Sequence, residues 1–143
     1  MDRFATLSRL LAALLLAGAD QAALACGYCV EDKIASTYDH AVISRALGKK
    51  HHVAFFHIDG PLAPGVGTKP ALEAAAESVA GVDKGSVRVA VETLTLSLAF
   101  DPRQTSLVAV QSALEKKLAA KKLSLMPLRI MDRPGDLAAV RRR

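Results

Sequence analysis

The fold is decided by residues 86–100, whose sequence is SVRVAVETLTLSLAF. In the first half of this stretch the valines fall on odd positions, and in the second half the leucines fall on even positions. Alternate residues of a strand lie on one face of a sheet, so this change of parity is incompatible with one continuous strand. It predicts a β-hairpin with Glu92 and Thr93 at the turn, in which residue 91 pairs with 94, 89 with 96 and 87 with 98 on one apolar face.

The chain on either side of the hairpin supplies the rest of a sheet. His51–Ile58 is predicted to be a strand, and its apolar side chains on both faces are typical of a central strand. Helices are predicted after Thr68 and Ser106, each of which can serve as a cap. A last strand over residues 123–130 contains Pro127, which restricts it to an edge or a bulge. The order strand, helix, strand, strand, helix, strand predicts an α+β fold with both helices on one face of a four-stranded antiparallel sheet.

One further helix is predicted ahead of this order. Val30–Leu47 has apolar residues at helical spacing and ends at Gly48. We expect this N-terminal helix to cover the other face of the sheet near Ala54 and Phe56. The residues from Asp132 onward are predicted to be loose.

The first 25 residues have the pattern of a secretory signal peptide. Arg3 and Arg9 are positive, residues 10–16 form an apolar run, and residues 23–25 are Ala-Leu-Ala. The apolar run is too short to span a bilayer. The sequence therefore predicts an exported protein, periplasmic or secreted, divided into a signal peptide (1–25), a C-x-x-C segment with the N-terminal helix (26–50), a main domain (51–131) and a basic tail (132–143).

The chain has two cysteines, Cys26 and Cys29, in the sequence CGYC. Cleavage after Ala25 would make Cys26 the N-terminus, with two thiols and a free amine close together. Such a set suits copper(I), zinc or another soft or borderline metal ion. His51 and His52 are candidate additional ligands. The residues before Cys26 depart from the lipoprotein pattern. Lipidation there would attach the protein to a membrane and leave no dithiol.

Four stretches of the main domain resemble a known family. They are VAFFHIDG (53–60), ALEAAAESVAGV (71–82), SVRVAVETLTLSLAFDP (86–102) and TSLVAVQSAL (105–114). Between His52 and Ile130 the chain is similar to the heavy-metal-associated domain, the ferredoxin-like βαββαβ module of copper chaperones and metal-pumping ATPases. That family places M-x-C-x-x-C in the loop after its first strand. The corresponding loop here, Gly60–Gly67, contains no sulfur, so the resemblance implies the fold and transfers no ligand to this loop.

Three functions remain open from the sequence. The first is an exported soft-metal binder, most simply of copper, that uses Cys26 and Cys29. The second is a thiol–disulfide redox protein, because C-x-x-C followed by a helix resembles the thioredoxin arrangement, although the strand before that motif and the later proline segment are missing. The third is a non-catalytic accessory domain. We expect a binding protein rather than an enzyme, with a metal ion as its ligand and a metal transporter or a redox protein as its partner.

A nucleic-acid partner is not expected. The net charge of +5 is modest, and the chain has four Phe, two Tyr and no Trp. Too few aromatic side chains are present for a base-stacking surface.

Overall fold

The sheet has four antiparallel strands in the order β2–β3–β1–β4. The computed structural model describes residues 30–141, with side chains up to residue 137. The strands are β1 (His52–Asp59), β2 (Arg88–Ala90), β3 (Thr95–Phe100) and β4 (Ser124–Met131). β1 lies between β3 and β4, as its two-faced apolar sequence predicts. The cysteine pair and the signal sequence lie outside the described residues.

The hairpin forms in the predicted register. Arg88 pairs with Ser97, Val89 with Leu96 and Ala90 with Thr95. Residues 91–94 form the turn, in which the Leu94 N–H donates to the Val91 carbonyl over 3.3 Å. Leu94 has a positive φ of 53°. The Glu-Thr sequence of the turn does not predict this conformation, which is more typical of Asn or Gly.

Two helices, α2 (Thr68–Glu77) and α3 (Leu107–Leu118), pack on one face of this sheet. Ser106 caps α3 by accepting a hydrogen bond from the Ala109 N–H over 3.2 Å, as predicted. Thr68 does not cap α2, because Gly67 is the N-cap residue and the Thr68 hydroxyl donates instead to the Ala63 carbonyl. The core between helices and sheet is built from residues of β1, β3 and both helices: Ala54, Phe56, Ile58, Leu72, Ala76, Leu96, Leu98, Phe100, Val110, Leu114 and Leu118.

The opposite face is covered by chain that precedes β1. Residues 30–36 are helical, and α1 (His40–Gly48) contacts β1 and β3. The prediction of one continuous helix over Val30–Leu47 is wrong. The helix breaks at residues 37–39, where the Asp39 carboxylate accepts a hydrogen bond from the Val42 N–H and starts a new helix.

The face that this layer covers also differs from the expectation. Ala54 and Phe56 belong to the core under α2 and α3. Alternation along β1 therefore places Val53 and Phe55 on the opposite face, and both are buried. The prediction that the N-terminal helix lies near Ala54 and Phe56 is therefore wrong, because the N-terminal layer covers the face of Val53 and Phe55.

Pro127 lies in the edge strand β4, as predicted. It pairs with Phe56, and the register shifts between Phe55 and Phe56, so that β4 is irregular beside the proline. Beyond it, Pro134–Arg141 form helix α4, which corrects the expectation of a loose tail. No helix in the described part of the chain has the length and apolar character needed to cross a membrane.

The observed architecture is the predicted one. The order β1, α2, β2, β3, α3, β4 with this strand arrangement is the ferredoxin-like βαββαβ fold. The chain divides into the units Met1–Glu31 and Asp32–Arg143, of which the second contains this fold together with α1 and α4.

Candidate metal centre

Residues 60–67 form the loop after β1. In the heavy-metal-associated domains that the sequence resembles, the corresponding loop holds the metal. The loop is largely exposed, and Val66 at its tip is fully exposed. Gly60 begins it with a φ of 124°, and a Cβ there would meet the Lys122 carbonyl oxygen at 2.5 Å. The loop therefore needs glycine at its start for close packing, but it offers no side chain that binds a soft metal.

A groove of about 450 Å³ adjoins this loop. It lies between Pro64 and Gly65 on one side and the residues of the β2–β3 turn on the other. Among the described residues that line it, Lys69 and Glu92 are charged and none is a Cys, His or Met. These side chains supply no soft ligand for a metal ion.

The position of Cys26 and Cys29 lies outside the described residues. Within residues 30–137, no group of three or more His, Cys, Asp or Glu side chains could hold a metal ion. The described part of the chain thus offers no alternative cluster to the predicted cysteine pair.

His51 lies just before β1 and is engaged by two acids. Its Nδ1–H donates to the Asp83 carboxylate at 2.9–3.0 Å, and its Nε2 lies 3.7 Å from Asp101 Oδ2. Only 12% of the side chain is exposed. Both ring nitrogens therefore face carboxylates of the fold, and neither nitrogen is directed at a site shared with other ligands.

Asp101 is the centre of this polar cluster. Arg103 donates two side-chain hydrogen bonds to it, and Gln104 Nε2 donates another over 3.0 Å. The Arg103 side chain, followed by the Arg103 backbone N–H, holds the pKa of the Asp101 carboxyl far below its usual range. Asp101 is consequently ionised at neutral pH and fixes the chain at the end of β3.

His52, the other candidate histidine, begins β1. Its ring packs edge-on against Phe100 with centroids 5.6 Å apart and an interplanar angle of 76°. His51 and His52 thus have different partners, and no described contact joins their imidazoles.

His57 makes a contact that the sequence did not indicate. Lys33 Nζ lies 2.9 Å from its Nδ1, and the Leu94 carbonyl oxygen lies 3.0 Å from the same nitrogen. No short-range pattern links residues 24 positions apart, so only the placement of residues 32–36 on the sheet reveals this contact. His40 contacts Tyr38 and Ser44 on the exposed side of α1.

No protein-family model matches the chain, and no curated protein matches it. Among solved structures, it is similar to the crystal structure of a copper-binding domain from HMA7, a P-type ATPase, with 19% identity and a TM-score of 0.45 over 55% of this chain and 96% of that one. It is also similar to the solution structure of the N-terminal domain of the zinc(II) ATPase ZiaA in its apo form, with 23% identity and a TM-score of 0.41 over 54% of this chain and 97% of that one.

Proposed function

We propose that this protein is exported and binds a soft metal ion, with copper(I) the first candidate, through the thiolates of Cys26 and Cys29. One observation carries the proposal. The only two cysteines of the chain form a C-x-x-C pair, whereas residues 30–137 contain no other cluster able to hold a metal.

The chemistry of the pair suits this role. Thiolates are soft ligands that favour copper(I) and zinc. Copper(I) can be coordinated by two or three ligands, whereas structural zinc is coordinated by four. Two sulfurs, with the amine that cleavage after Ala25 would release, satisfy copper(I) better than zinc.

The auxiliary ligands His51 and His52 would have to give up other contacts. Binding through Nδ1 of His51 would break its hydrogen bond to Asp83, and binding through Nε2 would require the ion to enter the contact with Asp101. Binding through His52 would disturb its packing on Phe100. A site built on the two sulfurs therefore disturbs the described fold least, and the histidines enter the proposal only as variants to test.

The test begins with the intact mass of the exported protein, which reports the cleavage site, any lipid and the thiol state together. Native mass spectrometry then measures copper(I) binding in competition with a copper(I) chelator. We expect one ion per wild-type protein, strong loss for Cys26→Ser and Cys29→Ser, and retention in the matched controls His51→Gln and His52→Gln. Equal binding by wild type and Cys29→Ser would reject the proposal, as would an exported form that begins beyond Tyr28.

A redox function of the same cysteines is the alternative. It is favoured by the sequence, because C-x-x-C followed by a predicted helix from Val30 resembles the thioredoxin arrangement, and a helix N-terminus lowers a thiol pKa. The reduction potential of the pair separates the two functions. A potential far below that of the compartment would leave a static disulfide. A potential near that of the compartment, with no copper(I) retained against the chelator, would favour redox exchange.

The partner implied by the metal function is a protein that supplies or receives the ion, such as a metal transporter. If both cysteines could be replaced without any effect on metal handling in the cell, the domain would be an accessory module and the thiols incidental.

A further inference from the structure

Two consecutive helical pieces cover the same face of the sheet, but they are held by different kinds of contact. α1 buries four apolar side chains, Val42, Ile43, Ala46 and Leu47. The preceding residues 32–37, which we name the strap, bury one apolar side chain, Ile34. Because apolar burial supplies most of the stability of packed helices, the strap is the weaker of the two.

Polar contacts make up the rest of the strap interface. The buried Ser97 hydroxyl of β3 donates to the Thr37 carbonyl over 3.0 Å. The Ser36 and Thr93 hydroxyls lie 2.7 Å apart on the exposed side. These groups can bond to water when the strap lifts, so their net contribution to closure is small.

A further polar contact of the strap joins Lys33 to His57. Lys33 Nζ lies 2.9 Å from His57 Nδ1 and 3.5 Å from Nε2. A neutral imidazole has a lone pair on one of its two nitrogens, so either tautomer offers Lys33 an acceptor. The Leu94 carbonyl near Nδ1 also accepts a hydrogen bond from the Ile58 N–H over 2.7 Å, so it keeps a partner in both tautomers. This contact, like the other polar ones, can be exchanged for water when the strap lifts.

The closed strap also buries a polar atom at a cost. Thr37 is 4% exposed, and its Oγ1 has no hydrogen-bond partner among the described residues. Lifting the strap would hydrate this hydroxyl, and that gain favours opening.

The chain directly after the strap is fixed. The Asp39 carboxylate accepts hydrogen bonds from the Val42 N–H of α1 and from Arg88 Nε of β2, and Arg88 Nη2 lies 2.9 Å away. A pivot at Tyr38, between the strap and Asp39, would therefore leave α1 in place.

We propose that the strap is a local opening unit, which detaches from the sheet by pivoting at Tyr38 while Asp39 and α1 stay in place. The chain that carries Cys26 and Cys29 joins the folded unit through this strap. Opening six residues from a helical length of about 9 Å to an extended length of about 20 Å lengthens that tether by roughly 11 Å. The use of this longer tether to transfer a metal ion rests on the proposed metal function, whereas the opening of the strap does not.

Native-state hydrogen exchange of the full metal-free chain tests the opening. The Thr37 and Tyr38 amides report on the strap, since they donate to the carbonyls of Ile34 and Ala35, and the Ile43 amide reports on α1. After correction for intrinsic rates, we expect the strap amides to exchange at least roughly tenfold faster than Ile43, a difference of ~1.4 kcal/mol. Their exchange should be insensitive to low denaturant.

Two variants should shift the opening in opposite directions. Ser97→Ala removes the donor to the Thr37 carbonyl and should speed strap exchange roughly 2- to 10-fold. Thr37→Val removes the unpartnered hydroxyl and should slow it about 5-fold or more. The Ile43 amide should change little in either variant, and Ser112→Ala on the exposed face of α3 is the matched control.

Exchange of the strap and α1 at one common rate would overturn the proposal, as would faster strap exchange in Thr37→Val. Because no metal is present in this experiment, its outcome is independent of copper(I) binding by the cysteine pair.

Discussion

Replacement of Phe55 by alanine tests whether the second face of the sheet is a true core. Phe55 and Phe56 are adjacent in β1, point to opposite faces and are both 0% exposed. A buried Phe→Ala substitution costs about 3–5 kcal/mol, through lost apolar burial and the cavity that remains. If the face of Phe55 were open to water, the change would cost only the strand preference of phenylalanine, at most about 1 kcal/mol.

Urea unfolding followed by circular dichroism measures the difference, since the chain has no tryptophan. We expect Phe55→Ala and Phe56→Ala to lower the free energy of unfolding by similar amounts, each about 3 kcal/mol or more. Ile130→Ala, at a side chain 41% exposed on the edge strand, is the control and should cost much less. A loss of under about 1 kcal/mol for Phe55→Ala beside a full loss for Phe56→Ala would refute a second core under α1.

Two further predictions concern the corner that joins residues 81–83 to the end of β3. Gly81→Ala should destabilise the protein by about 1–3 kcal/mol, because Gly81 has a φ of 84° and a Cβ there would lie 2.5 Å from Thr105 Cγ2. Gly48→Ala is the control for thermal unfolding, because a Cβ at Gly48 would have no neighbouring atom within 4 Å. This substitution should be neutral or stabilising. Asp101 has a pKa lowered mainly by Arg103, so its stabilisation is present above the unfolded-state pKa of about 4 and is lost as pH falls further. In Asp101→Asn, the free energy of unfolding should therefore fall less between about pH 4 and pH 2 than it does in the wild type. Urea unfolding at a series of pH values measures this, and an equal fall in both proteins would contradict the prediction.

Side-chain periodicity allowed much of the fold to be predicted. The parity change at residues 91–94 sets the register of the hairpin because a slip of one residue would turn every Val and Leu of that face to the other side. Ser106 and Pro127 are equally local signals, since a cap needs a side-chain oxygen at one position and a proline cannot donate within a central strand.

The errors arise where one pattern fits two structures. The apolar spacing of residues 30–47 continues through the break at residues 37–39, so periodicity alone cannot locate the end of one helix and the start of the next. Asp39 could have located it, because aspartate is a common N-cap residue.

The polar residues of β1 do not distinguish its two faces, because His52 and His57 fall on opposite faces of the strand. The sequence therefore does not determine whether Phe55 or Phe56 faces the N-terminal layer. The contact between Lys33 and His57 depends on the same placement. The cysteine site remains a prediction, because Cys26 and Cys29 lie outside the described residues.

The second helical layer bears on how the cysteine pair should be studied. Without α1, the face of the sheet that carries Val53, Phe55 and Ala99, all buried here, would be open to water. A contiguous apolar surface of that kind promotes association. Deleting residues 1–50 would therefore remove the thiols and expose this face together, and a loss of metal binding could not be assigned to either change. Single substitutions at Cys26 and Cys29 avoid this, because they leave α1 and its contacts with β1 and β3 in place. Chain before residue 51 thus has two separable roles, a structural one in α1 and a chemical one proposed for the cysteine pair, and only point variants distinguish them.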